Sequence, residues 1–476
     1  MRTLAATGLA AVTALVLVAG VTGLAAPHHH RAASSITPPA EGAHIGRFPD
    51  FGQLIPPGEF QGRTFKLSQD YPTTRPTIEP AVKRILAIDY TKNWKAYAGA
   101  VFDYVLAGNV ENRAPADAFY LEDNPVRRWY HVPWQHWGDS GREGIHGLTA
   151  EGPIYPLVLG PAQKGPELGQ SYAVGFYNAP GGYLIGKVWA DANNPDLDAV
   201  RREGGFPVGT VVAKILFTTV SVNEAPFLTN PIEWTAFIKQ RYTSPTASGF
   251  PIQPRHLDTV RLIQMDIMVR DDRAKATGGW VYGTYVYNGA KSQIGQWRNL
   301  VPMGLLWGND PTVTSHAEGN PHPTDKTLTN PDLKHTVINT DDKYLPPSHL
   351  GFGLRLSGPI DNTMSSCKSC HSAAQFPMMS PILPFLAQKK GCPLRPTDAE
   401  WWRWFRDLGP TDAFDTGGHP MDNSLQLAGS VQNFLAARTQ QTGGLYKQQY
   451  WKGLPITRVF NERGAAPPQS ETCKSS

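Results

Sequence analysis

Three stretches in the middle of the chain constrain its fold more than any others. "GTVVAKILFTTV" (209–220) is β-branched and almost continuously apolar, which is the composition of a strand covered on both faces. "DTVRLIQMDIMVRD" (258–271) alternates apolar with polar residues: Val260 and Leu262 first, then Ile267 and Val269 after a register shift. "GGWVYGTYVYNG" (278–289) alternates as well, with aromatics at 280, 282, 285 and 287 and Asn288-Gly289 as a closing turn. Upstream, "YAVGFYNA" (172–179) and "GYLIGKVWA" (182–190) flank Pro180-Gly181 and read as two strands about a turn. Strands of this length and spacing predict a central antiparallel sheet.

The flanks differ. "PTIEPAVKRILAIDYTKNWKAYAGAVFDYVLAGN" (76–109) carries apolar residues at helical spacing and stops at Gly108-Asn109, predicting one or two helices. A Trp-rich helix is expected at 397–408, with Thr397 as N-cap and Glu400 completing a capping box, and another helix at 423–438. The expected class is α+β. The expected sections are a signal or anchor (1–26), a linker or arm (27–60), a helical and Trp/His-rich section (61–170), the sheet (171–308), an irregular connection (309–350) and a C-terminal region (351–476).

Residues 1–26 join one arginine to an uncharged apolar run that ends in small residues, the pattern of a secretory signal. Its length also suits an uncleaved N-terminal anchor, which would be the only membrane attachment. The expected location is periplasmic or on the extracellular side of the membrane. His28-His29-His30 reads as solvated linker rather than a metal site. The formal charge of +4 comes from scattered Lys and Arg with no basic stripe, so nucleic acid is not an expected partner.

One short motif carries specific chemistry. In "SSCKSCHSAAQF" (365–376), Cys367 and Cys370 stand three apart and His371 follows directly. Cys-x-x-Cys-His attaches heme c. Positions i and i+3 of a helical turn share a face, so both thiols reach the vinyl groups of one porphyrin while His371 is aimed at the iron. A structural zinc site would need two more ligands, such as Cys392 and His419, but no second tight cysteine pair exists. A thiol redox pair would follow a strand in a βαβ unit, and the preceding "GFGLRLSGPIDNTMSS" offers none. Cys392 and Cys473 are expected to pair with each other in an oxidising compartment.

The second axial position has several candidates. Met421, in "GGHPMDNSLQLAG", is the candidate distal ligand, with His419 beside it and Met378 and Met379 nearer in sequence but with a short route across a porphyrin. "WYHVPWQHWGDSGREGIHG" (129–147) gathers three tryptophans with His131, His136 and His146; packing around hydrogen-bonded histidines is expected there, with a wall of the pocket as the alternative. Asp139, Arg142 and Glu143 are candidate proton-transfer groups.

The order of these parts resembles the β-sheet monoheme cytochromes that include cytochrome c-prime-beta and its crosslinked-heme, hydroxylamine-oxidising relatives. The pieces that carry the likeness are "FPVGTVVAKILF" (206–217), "VRLIQMDIMVRD" (260–271), "GGWVYGTYVYNG" (278–289) and "CKSCH" (367–371). The resemblance implies one heme with His371 proximal, an open distal side walled by the sheet, and binding or oxidation of small nitrogen species. Lys214 is followed by Ile215 where the family often has an acidic residue, so a lysine-to-heme crosslink is not carried over. The readings that follow are an oxidoreductase for a small nitrogen species or peroxide, a His371/Met421 electron-transfer domain serving a redox partner protein, and a secreted binding protein with structural zinc.

Overall fold

The computed structural model describes most of residues 55–441, with its larger breaks at 112–117, 136–141, 155–168, 240–254, 290–296, 314–326 and 330–349, and short pieces at His44–Ile45 and Phe48–Pro49. The signal segment, most of the arm and of the 309–350 connection, His136, Asp139 and Cys473 lie outside the described residues. Among the described residues no helix is long and apolar enough to cross a membrane.

The strand-like stretches do form a central antiparallel sheet. Its strands are β1 (Thr149–Ile154), β2 (Gly169–Tyr177), β3 (Val211–Thr218), β4 (Glu233–Lys239), β5 (Arg255–Arg270), β6 (Trp280–Tyr287), β7 (Leu300–Leu306) and β8 (Thr327–Thr329). Seven run in the order β8-β7-β6-β5-β3-β2-β1, and β4 pairs with the first half of the long β5. The break in the alternation of β5 has a structural cause. Leu216 pairs with Gln264 but Phe217 pairs with Leu262, so Ile263 is the extra residue of a β-bulge.

Residues paired directly across antiparallel strands point to the same side, which divides the sheet into two faces. Phe176, Ala213, Ile267 and Gly283 form one row of the first face. That face is covered from the N-terminal side by α2 (Trp94–Leu106), which follows α1 (Pro80–Ala87). Phe102 of α2 stacks on Tyr285, and the Tyr285 hydroxyl donates to Ala98 O at 2.7 Å. Gly108, with φ of +74°, follows the end of α2, a conformation glycine adopts without penalty.

The expected hairpin at 172–190 is half right. Residues 169–177 are β2, but "APGGYLIGKV" is α3 (Ala179–Val188). Pro180 occupies the first helical turn, where its missing N–H is not needed, so Pro-Gly is a helix start rather than a β-turn. Asn178 accepts from Val211 N and donates to Gly209 O, fastening the start of α3 to the neighbouring loop. A short α4 (Ala199–Glu203) follows.

The second face carries the row Gly175, Lys214, Asp266 and Thr284, and beside it Tyr177, Val212, Met268 and Tyr282. It faces the C-terminal part of the chain: α5 (Cys367–His371) and α6 (Leu425–Gln441), the latter close to the expected 423–438. Gly175 permits the approach of α6, since a Cβ there would lie 2.1 Å from the Gln426 side chain. The Trp-rich helix takes another form. It is a 3-10 helix at Ala399–Phe405 with no side-chain cap, and Asp398 instead accepts from Arg395 N while Glu400 pairs with Lys389.

Candidate functional site

Cys367–His371 is one helical turn, and its start is specified locally. The Ser366 hydroxyl accepts from Ser369 N and the Ser369 hydroxyl accepts from Ser366 N, a reciprocal capping box at 3.1 and 2.7 Å. The capping box expected at Thr397 and Glu400 does not form, and the one that does lies inside the motif. Tertiary contacts hold the turn as well. Cys367 N donates to Leu356 O at 2.9 Å, and Ser366 reaches Asn309 Oδ1 at 3.2 Å. Next to Leu356, the fully buried Arg355 donates to the carbonyls of Asn309, Asp310, Val313 and Phe352.

Within the turn the exposure pattern separates anchors from spacers. Cys367, Cys370 and His371 are each half-buried, whereas Lys368 and Ser369 are fully buried. The three chemically active side chains therefore share one accessible side, and the spacers pack into protein. Cys367 packs against the large core built on the sheet, and Cys370 against a second core containing Phe352, Trp401, Trp404, Phe405 and Phe414. Burial, reinforced by Asp266 and Asp361, raises the Cys367 thiol well above its ordinary value; burial pushes Cys370 up to about 12. A thiol redox pair needs the opposite shift, because the thiolate is the nucleophile.

His371 Nδ1 lies 2.7 Å from Asn423 O. A carbonyl only accepts, so Nδ1 carries the proton and Nε2 keeps its lone pair for a metal. Burial pushes the ring's pKa down to about 4, which keeps it neutral, as a ligand must be. The Tyr282 ring stands 5.6 Å away, centroid to centroid.

The sheet brings a polar pair to this turn, of which the sequence singles out only Lys214, as the lysine of the family resemblance, and not Asp266. Lys214 and Asp266 are register partners in adjacent strands, with Nζ to Oδ2 3.8 Å, and their side chains are 29% and 21% exposed although each sits in mid-sheet. Thr284 donates to Asp266 at 2.7 Å, and Gln264 Nε2 touches Asp266 at 2.9 Å and Asp361 at 3.5 Å. Burial works to lower the Lys214 pKa, but Glu151, Asp266 and Asp361 more than offset it and hold the amine charged. Three carboxylates around one ammonium leave excess negative charge. Burial and then Asp361 push Asp266 up to about 6, against Lys214 and its hydrogen bonds. The Lys214 charge acts in turn on Cys367, Cys370 and His371, so the cluster faces the motif. The sequence carries part of the signal: Lys214 is the one charged residue in the otherwise apolar run Val211–Phe217.

The residues fit a covalently held heme. Two thiols and an imidazole share one face of the turn, and Ser372 Oγ, directly after the motif, is a buried donor with no protein partner. Cys392 is disulfide-bonded, which removes it as the zinc thiolate considered from sequence. Among the described residues no group of three or more His, Cys, Asp or Glu could hold a metal ion by itself.

The other candidates are placed elsewhere. Met421 is fully buried in the turn that reaches Asn423, the residue behind His371 Nδ1. His419 contacts Asp198 at 3.1 Å. Met378 is half-buried and Met379 is exposed. His131 packs edge-on against Phe65, and His146 stacks on Trp234 at 4.1 Å. Glu143 accepts from the backbone amides of Ile145, His146, Leu148 and Phe237, which makes it a structural tie. No protein-family model, curated protein or solved structure matches this chain.

Proposed function

We propose that this chain is an exported monoheme c-type cytochrome, its heme held by Cys367, Cys370 and His371, that handles a small molecule of the size of a nitrogen oxide, hydroxylamine or peroxide with the help of Lys214 and Asp266. The observation that carries the reading is the placing of Cys367, Cys370 and His371 on one face of a helical turn, within the electrostatic reach of the partly exposed Lys214. Each thiol would add across one vinyl group, its sulfur forming the carbon–sulfur bond and its hydrogen going to the neighbouring carbon. His371 would give Nε2 to the iron while Asn423 O holds Nδ1–H. Heme, when bound, would supply one-electron exchange with a redox partner protein and an open position for a small ligand.

Asp266 is poised to exchange a proton near neutrality, and Lys214 stays cationic beside it. Together they would orient and protonate or deprotonate a small polar ligand. The electron-carrier alternative would need Met421 as a second ligand of the iron. Its turn approaches His371 from the Nδ1 side, which speaks against that arrangement.

Expression with c-type heme maturation tests the reading. The reduced protein should show a c-type α band that survives acid-acetone extraction, and Cys367→Ala or Cys370→Ala should lose stable double attachment. A wild-type protein with no covalent heme overturns the proposal. High-spin iron that takes up nitric oxide is expected, and low-spin iron with a methionine-to-iron band would return the chain to the carrier reading.

A further inference from the structure

We propose that the turn Met421–Ser424 is a clamp that sets the donor strength of His371, with Tyr282 and Trp280 as its positioning residues. The proposal rests on His371 being the iron ligand. Asp422 and Asn423 both adopt left-handed backbone, φ +41° and +64°, and neither is glycine. Non-glycine residues hold that conformation when surrounding structure imposes it. Here the sheet does so. Trp280 Nε1 donates to Asp422 Oδ1 at 2.8 Å, and Phe206 N donates to Asp422 Oδ2 at 2.6 Å. The Tyr282 hydroxyl donates to Asn423 Oδ1 at 2.9 Å, and the Tyr177 hydroxyl meets Ser424 Oγ at 2.8 Å. The turn closes on itself through Ser424 N to Met421 O, and Met421 N is tied to Ala374 O, three residues beyond His371.

Every polar arm of the turn is thus engaged, and Asn423 O is left to accept from His371 Nδ1. A hydrogen bond at that nitrogen raises the basicity of the other and fixes the ring about its axis. A stronger Nε2 donor favours ferric over ferrous iron. The clamp therefore bears on the redox poise through residues that never touch the iron. A turn that merely fastened α6 to the sheet would not need its strained carbonyl aimed at the motif.

The test uses the full heme-loaded protein and compares Tyr282→Phe with Tyr285→Phe. Both delete one hydroxyl from β6, but Tyr285 points to the opposite face and donates to Ala98 O. Tyr282→Phe should lower the ferric-to-ferrous ratio at fixed potential roughly threefold, a rise in potential of about 30 mV at 59 mV per tenfold. It should also lower the iron–histidine stretching frequency of the ferrous form, while Tyr285→Phe matches wild type in both. Trp280→Phe, expected to shift both readouts in the same direction, serves if Tyr282→Phe does not fold. Heme-bearing variants in which Tyr282→Phe and Trp280→Phe match Tyr285→Phe overturn the clamp. A wild type without covalent heme overturns the assignment beneath it.

Discussion

Removing the charge at Asp266 should change how stability depends on pH, in a direction the structure dictates. The carboxyl is raised from 3.8 to about 6, first by burial and then by Asp361. Between those values the folded chain holds a proton that the unfolded chain has released. Stability contributed by this group is therefore full below about pH 4 and is lost as pH rises through about 6. The shift of about 2 pKa units corresponds to about 3 kcal/mol at 1.36 kcal/mol per unit. In Asp266→Asn that slope should vanish. At pH 7 the variant should be more stable than wild type by that same ~3 kcal/mol, because the shift already contains the attraction of Lys214. Urea unfolding of the heme-loaded protein at several pH values from 4 to 8 measures this, and the difference between the two curves cancels the titrating groups that do not interact with Asp266. Parallel curves from pH 4 to 7 would refute the electrostatic account of the cluster.

Two further outcomes follow from the packing. Arg355→Met removes the donors to four carbonyls and should destabilise the protein by about 4 kcal/mol in urea unfolding, with a lower yield of attached heme; a loss under about 1 kcal/mol would show that the carbonyls find other donors. Met421→Ala should destabilise by about 3 kcal/mol, because its side chain is fully buried, yet leave the axial absorption bands of the iron as in wild type.

The sheet was legible because its signals are local. Alternation, β-branching and aromatic enrichment placed β3, β5 and β6, and even the bulge at Ile263 showed as a break in alternation. The same local logic misread α3, since Pro180-Gly181 opens a turn and a helix equally well, and only the Asn178 bonds to the 209–211 loop decide between them. Likewise "AEWWRWF" has helical spacing, but its large rings pack with Phe352 and Phe414 in a 3-10 arrangement that spacing does not encode. Within the site, the Cys-x-x-Cys-His spacing was readable by itself. Lys214 and Asp266 required knowing the register, because 52 positions of chain separate two residues that meet side by side.

The late position of the motif follows from the way the site is assembled. Attachment chemistry needs only a helical turn, which Ser366 and Ser369 specify within the motif itself. The environment that would tune the iron comes from two distant places, β3 to β6 on one side and the 421–424 turn on the other. These surroundings also lock to each other without the motif, through Trp280 to Asp422 and Tyr282 to Asn423. Cys367 packs on the sheet core and Cys370 on the Trp-rich core, so a group bonded to both would tie the two cores together. Loss of either thioether would then loosen the junction between those cores as well as the group itself.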